Sequence, residues 1–128
     1  MIKLIYVPVE IKGPIQVKKS ITVQKGLTNN FPEIVFELHD GHKYLDLGDD
    51  CVLTAAITNT DLETNIFTGT LSIMNPHRGQ ILCQPVYKDF TMTGINTLTI
   101  RCNCDTFDVS FQTTIFVQSI SEGILSYL

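Results

Sequence analysis

The chain contains no tryptophan, and it is poor in charge, especially positive charge. Charged residues make up 17% of it, with 9 Lys plus Arg against 13 Asp plus Glu and a formal net charge of -4. Binding nucleic acid through its phosphates requires a basic face that releases counterions, so no nucleic acid is expected among its partners. The lysines that do cluster, Lys12, Lys18, Lys19 and Lys25, read as a solvated edge that discourages pairing between molecules. Long apolar runs are missing as well. No uncharged stretch approaches the roughly 20 residues that cross a bilayer as a helix, so no membrane partner is expected. The opening MIKLIYVPVEIKGP is interrupted by Pro8 and Glu10 and has no small-residue cleavage site after a long apolar segment. It does not read as a signal peptide, and synthesis in a reducing cytosol is the simplest expectation.

The usual signatures of catalysis are also absent. There is no Gly-x-Ser-x-Gly turn for a nucleophilic serine and no Gly-x-x-x-x-Gly-Lys-Ser/Thr loop for phosphates. His39, His42 and His77 fall in turn-like segments, and the neighbouring acids Asp49 and Asp50, and Asp61 with Glu63, read as solvated loop residues. Asp40, Asp46, Asp49 and Asp50 do not follow the twelve-residue calcium loop. The chain is expected to have no catalytic residue, no cofactor and no metal, and not to be an enzyme.

Four cysteines, Cys51, Cys83, Cys102 and Cys104, need an assignment. An even count permits disulfides, but a cytosolic origin argues against them, and Cys102 and Cys104 continue the alternation of Leu98 and Ile100. Buried free thiols acting as small hydrophobes are the expectation. A structural zinc site built on Cys102-Asn103-Cys104, with Cys51, Cys83 or His77 as further ligands, is the weaker alternative, because Cys-x-Cys is not the usual knuckle spacing.

What the chain has in quantity is strand periodicity. Hydrophobic residues make up 44% of it, and mean hydropathy is slightly positive. That is high for a free monomer and points to apolar surface covered by a partner. From Phe107 to Val117 the odd positions Phe107, Val109, Phe111, Thr113, Ile115 and Val117 form one face, and Asp108, Ser110, Gln112 and Thr114 the other. Phe116 breaks the polar face. Leu98, Ile100, Cys102 and Cys104 alternate in the same way, and Asp105-Thr106 closes the two segments into a hairpin. Further strands are predicted over Leu4 to Val9, Ile15 to Val23, Ile34 to Leu38, Cys51 to Ile57, Gly69 to Ile73 and Gln80 to Tyr87. Turns are predicted at His39-Asp40-Gly41-His42 and Asn75-Pro76-His77-Arg78-Gly79, with a brief helical turn or an irregular crossing over Lys88 to Gly94. Many short strands without helical periodicity predict an antiparallel β-sandwich.

Ile21-Thr22-Val23, Gly26, Phe31-Pro32-Glu33-Ile34-Val35-Phe36-Glu37-Leu38, Asp40-Gly41 and Leu45-Asp46-Leu47 together resemble the opening of the amino-terminal domain of the phage baseplate upper protein family. The likeness continues through Val52 to Ile57, Gly79, Gly94 before Leu98 to Cys102, and Phe111 to Val117, so it spans roughly residues 21–120. It implies an all-β, immunoglobulin-like sandwich over 21–120. Residues 1–20, which have no clear counterpart in that family, are expected as an N-terminal arm or edge strands, and the apolar 121–128 as a C-terminal docking tail. The resemblance also implies a virion structural protein, made and assembled in the host cytoplasm, that binds other phage subunits of the baseplate, tail or capsid and is able to form a homo-oligomer. The expected partner contacts are Phe116 and the tail residues Ile124, Leu125, Tyr127 and Leu128. The alternatives are a capsid decoration or head-fibre anchor, and a carbohydrate- or receptor-binding module with Tyr44, Phe67 and Tyr87 as ring platforms.

Overall fold

The computed structural model describes residues 4–11, 16–17, 21–25, 32–48, 50–59, 64–86, 89, 94–105 and 107–119. Ten strands follow in chain order: β1 (Leu4–Glu10), β2 (Gln16–Val17), β3 (Ile21–Lys25), β4 (Glu33–His39), β5 (Val52–Asn59), β6 (Thr64–Ile66), β7 (Thr70–Asn75), β8 (Gln80–Gln84), β9 (Gly94–Asn103) and β10 (Asp108–Ser119). A 3-10 turn, Pro76–Arg78, joins β7 to β8. The strands form two five-stranded sheets, ordered β2-β1-β4-β8-β7 and β3-β10-β9-β5-β6. The all-β sandwich expected from the alternation is therefore present. Strands β4, β8 and β7 on one side and β6, β5, β9 and β10 on the other occupy the places of B, E, D and C′, C, F, G in an immunoglobulin sandwich.

Two pairings depart from a purely antiparallel arrangement. β1 runs parallel to β4 from Leu4↔Glu33 to Glu10↔His39, and β3 runs parallel to β10 from Ile21↔Ile115 to Ser119↔Lys25. Of the expected arm or edge strands over 1–20, β1 and β2 both belong to the first sheet. Val7 and Val9 are fully buried and belong to the same apolar cluster as Phe36 and Ile100, so the segment from Leu4 to Glu10 is an interior strand of the sandwich. Only β2 beyond it lies at the sheet edge. The physical reason is the alternation of Ile5, Val7 and Val9, whose side chains share one face; when Val7 pairs with Phe36 that face meets the core, with Val7 and Val9 fully buried and Ile5 packed partly buried against it.

The two inner faces meet in one core. Ile34, Phe36, Leu38, Ile81 and Cys83 come from the first sheet, and Ile57, Leu98, Ile100, Phe111, Ile115 and Val117 from the second. The Phe36 and Phe111 rings join the sheets at a centroid distance of 5.1 Å and an interplanar angle of 58°, a tilted geometry favoured by the ring quadrupoles. Of the predicted inward set, Phe111, Thr113, Ile115 and Val117 are buried and Phe107 and Val109 half-buried, whereas Asp108, Ser110, Gln112 and Phe116 are exposed.

Two connections are held by specific chemistry. Gly79 caps the 3-10 turn in the left-handed region at φ 60°, and a Cβ there would stand 2.5 Å from the Leu38 carbonyl oxygen. Only glycine meets both demands. Asp89, buried between the β6–β7 and β8–β9 connections, accepts hydrogen bonds from the Thr68 backbone N–H (2.7 Å), the Thr68 hydroxyl (2.9 Å), the Gly69 N–H (3.1 Å) and the Val86 N–H (2.9 Å). One carboxylate thus satisfies three backbone donors from two segments.

Candidate functional surfaces and the cysteine cluster

Phe116 projects from the outer face of β10. The ladder sets it directly opposite Ile95 on β9 and Thr22 on β3; Ile95 is 50% exposed and Phe116 36%. Threonines extend this face, with Thr114 beside Thr97 and Thr58, and Thr99 between Gln112 and Ala56. Among the described residues, only Arg101 and Asp108 carry charge on it. Their pairing is bidentate, Nε to Oδ1 at 3.0 Å and Nη2 to Oδ2 at 2.6 Å, and the Arg101 guanidinium holds the Asp108 carboxyl below the usual carboxylate range. The result is a surface whose described charges cancel in one ion pair, with an exposed aromatic–aliphatic pair at one end. The candidate contacts Ile124, Leu125, Tyr127 and Leu128 lie outside the described residues.

A second surface lies on the opposite sheet. Pro8, Glu37, His39, Gly41, His42, Lys43 and Tyr44 line a cleft of about 530 Å³. The short return after β4 builds it. His39 bridges to Tyr44, and the Asp40 carboxylate accepts from the backbone N–H groups of His42 and Lys43, both at 2.9 Å. These two bonds hold the Asp40 carboxyl below its ordinary value. Tyr44 is exposed, and the Arg78 guanidinium lies over its ring at 5.0 Å. Of the three expected ring platforms, Phe67 is buried in the core, Tyr87 lies outside the described residues, and Tyr44 lines the cleft. Of the three turn histidines, His39 and His42 line the cleft, whereas His77 reaches Asp46 at 3.5 Å and is not part of the lining.

The cysteines correct the sequence expectation. Cys51 and Cys104 are joined as a disulfide across 53 residues of chain. The register explains why. Val52 pairs with Asn103, so Cys51 stands opposite Cys104 where the two strands end. Cys83 and Cys102 are free and buried, as expected of small hydrophobes. Burial, with the Asp89 charge adding to it, pushes the Cys83 thiol up to about 12; burial and then Asp108 push Cys102 to about 11. The Cys102 sulfur lies 3.5 Å from that of Cys104. Next to the disulfide, the protonated Asp50 carboxyl donates a hydrogen bond to the Asp105 carboxylate, and this bond, together with repulsion between the two charges, holds Asp50 above its usual range.

These features define an all-β, immunoglobulin-like sandwich with the Phe116–Ile95 pair on the outer face of one sheet and a cleft on the other. The same fold is found in the N-terminal domain of phage TP901-1 ORF48. The TM-score is 0.60 at 8% sequence identity, covering 92% of this chain and 99% of that one. At that identity the likeness is one of fold. No protein-family model matches the chain, and no curated protein matches it in sequence.

Proposed function

We propose that the chain is a structural protein of a phage virion, a docking module of the tail baseplate that binds other virion subunits. The observation that carries this reading is the end-to-end match of its fold to a phage protein's N-terminal domain. It agrees with the resemblance seen in the residues of β3, β4 and the turn after β4. The outer face around Phe116 and Ile95 supports a binding role, because exposed aromatic and aliphatic side chains suit contact with another protein. The Cys51–Cys104 disulfide suits a protein that ends up on a particle outside the cell, where such bonds persist. Immunogold labelling of purified particles tests the placement. Label at the tail tip is expected; label on the head moves the same module to capsid decoration, and unlabelled particles refute the virion role.

A second reading has one specific observation in its favour. Tyr44 presents an exposed ring in a cleft with Glu37, His39 and Lys43 beside it, a combination able to stack on a sugar and hydrogen-bond its hydroxyls. Binding on a glycan array, lost in Tyr44→Ala, would place this reading first.

A further inference from the structure

The inner face shared by β5 and β9 ends in three sulfurs. Cys51 stands across from Cys104, Cys102 lies two residues back on the same face of β9, and all three sulfurs fall within 4.8 Å of one another. Among the described residues no other three His, Cys, Asp or Glu side chains converge in this way. The ladder holds the Cys102 backbone, and the Cys104 N–H donates to the Phe107 carbonyl at 2.8 Å, so little chain has to be ordered to bring the sulfurs together. Two thiolates bound to zinc at about 2.3 Å in tetrahedral geometry stand about 3.8 Å apart. The Cys102–Cys104 separation of 3.5 Å is close to that bite.

We propose that in the reduced chain Cys51, Cys102 and Cys104 form a three-thiolate site for zinc. Sulfur donors select a soft or borderline cation over calcium or magnesium. The site and the disulfide are alternative states of the same atoms. A dithiol reductant passes two electrons to the Cys51–Cys104 bond and becomes a disulfide itself, leaving a thiol on each cysteine. With Cys102 there are then three S–H groups, and each releases one proton as its sulfur bonds to the dication. Water takes the fourth position of the tetrahedron. Cys83, on β8 of the other sheet, is outside the group and serves as the control.

The test uses the whole 128-residue chain. One sample is reduced under argon and the other oxidised with diamide; each is equilibrated with excess zinc, desalted and assayed for metal by mass spectrometry. One zinc per reduced chain and none per oxidised chain are expected. Cobalt substituted for zinc should give a sulfur-to-metal charge-transfer band in the reduced chain, lost in Cys102→Ser and kept in Cys83→Ala. Absence of zinc from the reduced chain, or equal zinc in both redox states, overturns the proposal. That comparison needs no variant to fold.

Discussion

At the scale of single residues, Asp89 illustrates how one side chain holds two connections. Its carboxylate accepts from Thr68, Gly69 and Val86, so Asp89→Ala leaves three backbone donors without their acceptor. A loss of about 3 kcal/mol is expected in chemical denaturation. Sequence reading placed Asp89 only in a brief helical turn or irregular crossing, because nothing local reveals which distant N–H groups it meets. Gly79 was legible, since a glycine after Asn-Pro-His-Arg marks a turn. Gly79→Ala should cost about 2 kcal/mol by the same measurement, from the left-handed backbone and the approach to Leu38. Asp108 makes a smaller contribution. Its pKa is depressed by Arg101, so the pair contributes to stability above the unfolded value near 3.8 and loses that contribution as pH falls through the folded value. Both groups are largely solvated, which keeps the effect small. In an NMR titration, Asp108 should titrate below the usual range, and Arg101→Gln should restore it.

At the scale of elements, the strands were mostly legible and their partners were not. The period of two in Phe107 to Val117 marked both the strand and Phe116 as its exposed exception, and the β9–β10 hairpin followed from the short Asp105-Thr106 link. β6, with only three residues, is too short to show a period. The parallel pairings of β1 and β3 depend on long-range register, which alternation does not encode. The same limit hid the disulfide: Cys51 and Cys104 become neighbours only once Val52 is set against Asn103. Because the bond closes a long loop, its reduction in metal-free buffer should lower unfolding stability by about 2–4 kcal/mol. Cys51→Ser should lower it similarly and make it insensitive to reductant.

At the scale of the whole molecule, both sheets contribute to the core, and each leaves an outer face with a different character. Among the described residues, the face of β3-β10-β9-β5-β6 carries charge only as the Arg101–Asp108 ion pair, and it presents Phe116 and Ile95; the other carries the Tyr44 cleft. The sequence alone already separated Phe116 from the core but did not pair it with Ile95, which lies 21 residues away across the ladder. This pair is the surface proposed for docking. Phe116→Glu combined with Ile95→Glu should cost under about 1 kcal/mol of stability, since both side chains point to solvent. The most direct test is to quantify the chain by mass spectrometry in phage particles assembled with the wild-type or the doubly substituted form. The wild-type chain is predicted in a fixed ratio to the tail proteins, with the variant soluble and folded but missing from the particles. Equal incorporation of both forms would contradict the docking surface, and absence of the wild-type chain would contradict the virion role itself.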